Sequence, residues 1–226
     1  NFASIVAAIR SGRRIFDNLQ KAMSYILAVH VPIIGLPLIP AFDPALPVLL
    51  MPLHIIFMEL IIDPVCSVAF ETEQEEKGIM KRPPRPPGEA FFGFGKIIGS
   101  FLSGLLLLLM VGVIFYLSRE EGHSEGEIRA IAFSALIIGN IFLILTHLSK
   151  TRSVLAVIAE RNTTIILILL TAFILLQLVI FIPSLRELFN FDYPGFNHLI
   201  PAGIGALIMV SVLEIIKLGK RGRLPR

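Results

Sequence analysis

The most constraining feature of the sequence is a hydrophobic run, from about Val48 to Phe70, that contains two carboxylic acids. As a helix rising about 1.5 Å per residue, this run is long enough to cross a bilayer core of roughly 30 Å. Glu59 then lies near the midplane, where a carboxylate costs on the order of 2.5–3.5 kcal/mol. Because Asp63 follows one turn later, we expect both acids to have partners that offset this cost.

The spacing and surroundings of the two acids favour an ion site. Residues four apart project from the same helix face, so Glu59 and Asp63 could bind one cation or two adjacent ones. Pro64 lacks an N–H and leaves the Leu60 carbonyl without its usual partner, which predicts that the helix breaks beside the acids. Unwound backbone at this depth is typical of cavities and ion sites. The alternative is a buried pair of protonated acids that only holds helices together.

The hydropathy of the chain places it in the membrane. A mean hydropathy of +0.81 and 55% hydrophobic residues indicate an integral membrane protein with several spans and exclude a soluble domain. We predict an all-α fold, a polytopic membrane helix bundle with six transmembrane helices. The predicted spans cover about residues 18–42, 48–70, 95–117, 128–148, 163–183 and 197–218.

The charges of the loops predict the orientation of the chain. Most Lys and Arg residues fall in the loops of one side, whereas the other side has several acids and only Arg119, Arg129 and Arg186. The positive-inside rule assigns the basic side, and with it both chain ends, to the cytoplasm. Residues 1–24 are amphipathic and too polar to insert, which predicts a cytoplasmic stalk before a membrane domain of residues 25–218. The basic tail, residues 219–226, indicates contact with anionic lipid and not with nucleic acid.

Two further polar residues lie inside apolar spans. His30 comes two residues before Pro32, which leaves the Ala28 carbonyl without its usual partner and predicts a second helix interruption beside an ionisable residue. The proline-rich turn at 40–47 makes the first two spans an antiparallel hairpin. His30 and Glu59 could therefore lie at comparable depth. Asn140 falls near the middle of the fourth span. Each of these side chains either lines an ion path or has only a structural role in helix packing. For an amide such as that of Asn140, an interhelical hydrogen bond is the commoner role.

Two other segments have a recognisable pattern. The loop from Glu71 to Gly95 begins with an acidic run and continues into a basic, proline-rich stretch, which predicts a semi-rigid strap or a docking surface. In the third span, Gly99, Ser103 and Gly104 form a patch of small residues that predicts close helix packing.

Two motifs resemble a known family. The segment from Asn1 to Tyr25, with Asn1-Phe2-Ala3-Ser4-Ile5-Val6 and Gly12-Arg13-Arg14-Ile15-Phe16-Asp17-Asn18, is similar to the junction of P-type ATPases where the phosphorylation domain passes into the fifth transmembrane helix. Ile79-Met80-Lys81-Arg82-Pro83-Pro84-Arg85 resembles the loop between helices six and seven of the calcium-pump branch. The resemblance covers the whole chain and implies helices five to ten of a cation-transporting P-type ATPase.

The resemblance also implies a set of ion ligands. Asp63 matches the family's aspartate on the sixth helix, and Glu59 stands in place of its asparagine. His30 stands in place of an asparagine on the fifth helix, and Asn140 in place of a glutamate on the eighth. Two other ligand positions of the family hold isoleucine, so two-calcium stoichiometry does not carry over. The candidate metal ligands are therefore Glu59, Asp63, Asn140 and His30.

The sequence lacks the catalytic motifs of that family, so the chain alone is not expected to hydrolyse ATP or to hold a cofactor. Because it starts at Asn1 without a Met or a signal-like leader, we expect a piece of a longer protein. The resemblance implies a parent that uses ATP and Mg²⁺ in a bacterial plasma membrane. Its partners would be the lipid bilayer, the transported cation, the actuator, nucleotide-binding and phosphorylation domains, and the first four helices.

Three functions remain open from the residues alone. The chain is part of an ATP-driven pump, or of a secondary ion carrier or channel that uses the same acids, or it is a purely structural membrane subunit. Inverted repeats, which would favour a carrier, are not evident among the six predicted spans. Carboxylates suit hard cations such as Ca²⁺, Mg²⁺ or Mn²⁺, whereas His30 beside them suits a proton path or a softer divalent ion.

Overall fold

A computed structural model describes residues 1–86, 88, 90–160 and 162–221, without the side chains of Asp63, Val65, Cys66, Lys220 and Arg221. This part of the chain folds into eight α-helices and two short 3-10 turns, at Ile79–Lys81 and Phe196–His198. The helices are α1 (Phe2–Phe42), α2 (Pro52–Glu71), α3 (Phe94–Glu120), α4 (Glu125–His147), α5 (Val154–Ala159), α6 (Thr163–Phe181), α7 (Pro183–Leu188) and α8 (Leu199–Arg221).

Six helices in the described residues are long and apolar enough to cross a membrane. They are α1, α2, α3, α4, α6 and the segment Phe196–Gly219, which contains most of α8. The prediction of an all-α bundle with six candidate membrane spans is therefore confirmed. The two short helices, α5 and α7, lie at either end of α6.

The central helix of the bundle is α4. In its most apolar window 89% of the residues are buried, against 22% to 33% in the other five spans. It contacts α1, α3, α6 and α8, and Phe133, Leu136 and Leu143 on it are fully buried. The other spans expose large apolar side chains on their outer faces, as helices in contact with lipid do. Polar side chains on α4 are therefore enclosed by the neighbouring helices of the bundle.

A close contact between α1 and α3 is centred on Gly104. A Cβ atom at this position would lie 2.1 Å from the carbonyl oxygen of Ala28 and 2.7 Å from Cβ of Val31. Only a residue without a side chain allows the two backbones to approach so closely. The predicted close packing at the small-residue patch is therefore confirmed.

The prolines do not interrupt the helices beside the candidate ligands. Helix α2 continues through Pro64 and α1 continues through Pro32, so the prediction of a break is wrong. A proline removes one hydrogen bond of the ladder, but the turns on either side keep theirs and neighbouring helices hold the segment in place. The Ala28 carbonyl, which Pro32 cannot bond, faces Gly104 of α3.

The end of the bundle opposite the stalk is held by a buried histidine that the sequence analysis did not single out. His54 is 0% exposed, and its ring accepts a hydrogen bond from the Met51 N–H at 3.1 Å through Nδ1. Its Nε2 lies 2.7 Å from the carbonyl oxygen of Phe189 and donates to it. The ring also stacks on Phe191 with a centroid distance of 4.8 Å. These contacts join the start of α2 to the segment that follows α7.

Candidate ion site

Glu59 of α2 and His30 of α1 meet inside the two spans. The distance from Glu59 Oε1 to His30 Nε2 is 3.8 Å. The side chains of Glu59 and His30 are 35% and 41% exposed, so one side of the pair is open. The sequence predicted a comparable depth for these two residues from the lengths of the hairpin arms, and the structure brings them together.

The hydrogen bonding of His30 determines what can lie between the two side chains. Its Nδ1 lies 2.7 Å from the carbonyl oxygen of Ile26 and can only donate to that acceptor, so Nδ1 carries a proton. In the neutral ring, Nε2 then presents a lone pair to Glu59. A lone pair and an ionised carboxylate repel each other in a low-dielectric medium unless a positive charge lies between them. The two side chains can therefore bind a proton or a cation together.

Asn140 lies in the core, with a cavity about the size of one water molecule beside it. The residue is 6% exposed, and neither Oδ1 nor Nδ2 has a hydrogen-bond partner among the described residues. A cavity of about 20 Å³ adjoins it, lined by residues of α1, α2, α4 and α6. This volume is enough for one water molecule or an ion of similar size. Because an unsatisfied buried polar group costs about 1–3 kcal/mol, the amide gains from any polar occupant of the cavity.

The candidate ligands lie at two levels of the bundle. Ile62 of α2 lines the Asn140 cavity, whereas Glu59 lies three residues earlier, which is roughly 5 Å along the helix. The described residues contain no group of three or more His, Cys, Asp or Glu side chains that could hold a metal ion. The structure thus joins Glu59 to His30 and leaves Asn140 in a separate cavity. The side chain of Asp63 lies outside the described residues.

A second polar cluster, which the sequence analysis missed, ties the stalk of α1 to two loops. Lys21 and Glu76 form an ion pair at 2.9 Å with side chains 1% and 0% exposed. Glu76 also accepts hydrogen bonds from Ser149 Oγ at 3.0 Å, from the Lys150 N–H at 2.9 Å and from the Thr151 hydroxyl. One carboxylate therefore connects α1, the loop after α2 and the segment after α4.

A neighbouring set of contacts extends this connection. Arg152 forms ion pairs with Glu73, which is itself buried, and with Glu160. Asn18 Nδ2 donates to the Glu73 carbonyl at 2.8 Å. Arg82 pairs with Asp17 at 2.6 Å. The loop after α2, predicted as a strap or docking surface, is thus fixed to the stalk through buried charges.

Burial and pairing have opposite effects on the two loop carboxylates. Burial alone raises the pKa of Glu76, but the charge of Lys21 and hydrogen bonds from Thr151, Lys21 and the Lys150 N–H lower it to about 2. For Glu73 burial is the larger influence, and its pKa is raised even though Arg152 opposes the shift. Glu76 is therefore the carboxylate whose charge the network stabilises. The acidic run opposite a basic stalk was the only sequence signal for this cluster.

A bundle of six apolar helices with an ionisable pair inside two of its spans is typical of membrane transport proteins. Residues 47–219 match the family model described as "Cation transporting ATPase, C-terminus". The chain therefore belongs to the family of cation-transporting P-type ATPases, and corresponds to their C-terminal region.

Curated relatives agree with this assignment over most of the chain. A calcium-transporting ATPase of Bacillus subtilis is 31% identical over 197 residues, which are 84% of this chain and 21% of that protein. A calcium-transporting ATPase of Listeria monocytogenes is 29% identical over 96% of this chain and 24% of its own length. The sodium/potassium-transporting ATPase alpha subunit of Drosophila melanogaster is 40% identical over 87 residues, 38% of this chain and 8% of that protein. The chain spans about a fifth to a quarter of the length of the two bacterial relatives.

Proposed function

We propose that this chain is the C-terminal membrane domain of an ATP-driven cation pump and contributes part of its ion site and translocation path. The observation that carries the proposal is the approach of Glu59 to His30 inside the membrane spans, at 3.8 Å and with Nδ1 of the histidine already engaged. This geometry would let the two side chains bind a proton or an ion in transit together. Asp63, one turn from Glu59 on α2, would add a second carboxylate.

The transported ion is proposed to be a hard divalent cation of the calcium type. The relatives are named calcium-transporting ATPases, and the carboxylate oxygens of Glu59 and Asp63 suit such an ion. Calcium takes six to eight oxygen ligands, so helices outside this chain would supply the remainder. The open side of the Glu59–His30 pair is where those helices would lie.

Coupling to ATP would pass through the stalk. Helix α1 is continuous from Phe2 to Phe42, so its exposed end and His30 belong to one rigid element. The stalk is fixed to the loop after α2 through Asn18 and Asp17, and this loop continues directly from the helix of Glu59. A displacement of the stalk would therefore move α1 and α2 together and change access to the pair.

The test uses the intact protein that contains this chain. Asp63→Asn and Glu59→Gln keep the size of each side chain and remove its charge, so ion binding should weaken about tenfold or more. In a pump of this family, the ion must bind before ATP phosphorylates the enzyme. Both variants should then need higher ion concentrations for phosphorylation from ATP, while inorganic phosphate still labels the ion-free form. The double variant should be less than additive because the two acids share one ion.

Glu120→Gln is the matched control, since Glu120 is an exposed acid at the end of α3. It should leave the ion dependence of phosphorylation unchanged across Ca²⁺, Mg²⁺ and Mn²⁺. If both site variants phosphorylate from ATP with the ion dependence of the unmodified protein, the two acids are structural. Transport that continues without ATP would instead identify a secondary carrier.

A further inference from the structure

A cluster of buried contacts holds the start of α2 at the end of the bundle opposite the stalk. We call it the outer clamp, and it consists of His54 of α2, Arg129 of α4 and the two backbone segments that they join, 48–51 and 189–191. His54 is 0% exposed, and the charged Arg129 side chain is only 11% exposed. Polar groups buried to this degree need hydrogen-bond partners, so their contacts show what each side chain holds.

Arg129 joins both backbone segments to α4. Its Nε donates to the Val48 carbonyl at 3.0 Å, and Nη1 donates to the Asn190 carbonyl at 2.6 Å. Its Nη2 lies 3.4 Å from the carboxylate of Glu125, whose side chain is 73% exposed. An ion pair with so exposed a partner contributes little, whereas the two enclosed carbonyls accept charge-assisted hydrogen bonds. Arg129 therefore fixes the start of α2 and the segment after α7 to one helix.

His54 links the same two segments from α2. Its Nδ1 accepts from the Met51 N–H at 3.1 Å, and its Nε2 donates to the Phe189 carbonyl at 2.7 Å. These two contacts require the neutral ring with its proton on Nε2. The ring also packs beside Phe133 of α4, with a centroid distance of 5.3 Å. Loss of the histidine would leave a buried carbonyl without a donor.

The backbone at Asn190 presents two successive carbonyls to the two side chains of the clamp. Asn190 has a φ of 52°, in the left-handed region that Asn adopts more readily than most residues. The Phe189 carbonyl then accepts from His54, while the Asn190 carbonyl accepts from Arg129. Phe191 follows directly and is buried. The conformation of this segment therefore supports both links at once.

The clamp lies close to the ionisable pair along α2. Glu59 is five residues beyond His54, which is roughly 7.5 Å along the helix. If α2, which spans Pro52–Glu71, turned about its far end, a shift of about 1 Å at Pro52 would move Glu59 by roughly 0.6 Å. His30 belongs to α1 and would not follow. The separation of 3.8 Å between Glu59 and His30 therefore depends on where the start of α2 is held.

We propose that His54 and Arg129 are positioning residues for the ion site, which hold the start of α2 so that Glu59 stays within reach of His30. The inference rests on the proposed function, because it requires that Glu59 binds the transported ion. Both residues act through the backbone of α2 and not through contact with the ion. When the clamp opens, a smaller fraction of the protein has the site in place, and the apparent ion affinity falls by that fraction.

The first test measures the Ca²⁺ dependence of phosphorylation from ATP in the intact protein that contains this chain. Arg129→Gln and His54→Leu should each raise the Ca²⁺ concentration for half-maximal phosphorylation about threefold or more, because the site would be in place for a third of the time or less. The maximal level and the labelling of the ion-free form by inorganic phosphate should be kept, which also shows that the variants fold. The double variant should be less than additive, since both side chains hold the same segments.

Two control variants separate positioning from other effects. His54→Gln should shift the Ca²⁺ dependence less than His54→Leu, because the amide of Gln can still donate to the Phe189 carbonyl. Arg119→Gln should not shift it, since Arg119 is an exposed arginine at the end of α3, on the same side of the predicted topology as Arg129.

A second test uses the unmodified protein and needs no variant to fold. Coupling between two sites is reciprocal, so Ca²⁺ should stabilise the clamp if the clamp stabilises the ion site. Saturating Ca²⁺ should therefore increase the protection of the backbone amides of residues 48–51 from hydrogen exchange about threefold or more.

Four results would overturn the positioning role and leave the proposed function standing, provided that Glu59→Gln weakens ion binding. They are an unchanged Ca²⁺ dependence in Arg129→Gln and His54→Leu, equal shifts in Arg119→Gln and Arg129→Gln, equal shifts in His54→Gln and His54→Leu, and unchanged protection of residues 48–51 when Ca²⁺ is added. Unchanged ion dependence in Glu59→Gln would instead reject the proposed function, and this inference with it.

Discussion

Replacing Lys21 with Met tests whether the buried network fixes the loop after α2 to the stalk. The substitution keeps the length of the side chain and removes the partner of Glu76, whose carboxylate is 0% exposed and lies 2.9 Å from the ammonium group. Removing one partner of a buried ion pair costs about 3–5 kcal/mol. Since Glu76 keeps its bonds to Ser149, Thr151 and the Lys150 N–H, we expect the lower end, about 3 kcal/mol.

The pKa of Glu76 leads to a similar value. Its shift from 4.5 to about 2 corresponds to about 3–4 kcal/mol at about 1.4 kcal/mol per pKa unit. A group whose pKa is lowered by folding contributes stability that is present above the unfolded pKa. This contribution should be lost as the pH falls from about 4.5 to about 2. The loop should therefore open in acid in the unmodified protein.

Backbone hydrogen exchange of residues 72–82 in the intact protein measures this opening directly. A cost of about 3 kcal/mol should reduce protection of these amides roughly a hundredfold in Lys21→Met. Lys77→Met is the matched control, because Lys77 is an exposed lysine of the same loop, and its protection should not change. A change below about threefold in Lys21→Met, or equal changes in the two variants, would refute the argument that the buried pair fixes the loop.

Two further predictions concern packing and topology. Gly104→Ala should lower the thermal stability of the intact protein sharply, because the new methyl group would lie 2.1 Å from a carbonyl oxygen of α1. The control Gly112→Ala should leave the melting temperature unchanged, because nothing lies within 4 Å of the added Cβ atom, and equal melting temperatures of the two variants would contradict the packing argument. Cysteine probes at Lys77 and in segment 121–126 should be labelled from opposite sides of the membrane, the first from the cytoplasm; labelling from one side would contradict the six-span topology.

The six candidate membrane spans could be predicted from the sequence because hydropathy is a local property of the chain. A run of about 20 apolar residues has few alternatives to a membrane helix, whatever the rest of the chain does. An ionisable or amide side chain inside such a run can be recognised without any knowledge of packing. The sequence therefore identified three polar residues within the spans: Glu59, His30 and Asn140. The short proline-rich turn even predicted that α1 and α2 would pair.

The local effect of proline predicted the helices less well than hydropathy did. Breaks were expected at Pro32 and Pro64, but both helices continue through these residues. The loss of one hydrogen bond is a local cost, whereas α1 near Pro32 also packs against a neighbouring helix, at Gly104 of α3. Whether a proline breaks a helix therefore depended on packing that the sequence does not display.

What the sequence by itself determined is a six-helix membrane domain with acids in its second span and a basic stalk at one end. Only the tertiary structure decided which charges meet, because ion pairs such as Glu73–Arg152 join residues 79 positions apart. The same holds for the cavity beside Asn140, whose walls come from four helices. Hydropathy acts along the chain and can be read from it, whereas the pairing of buried charges depends on distances that exist only after the helices have packed.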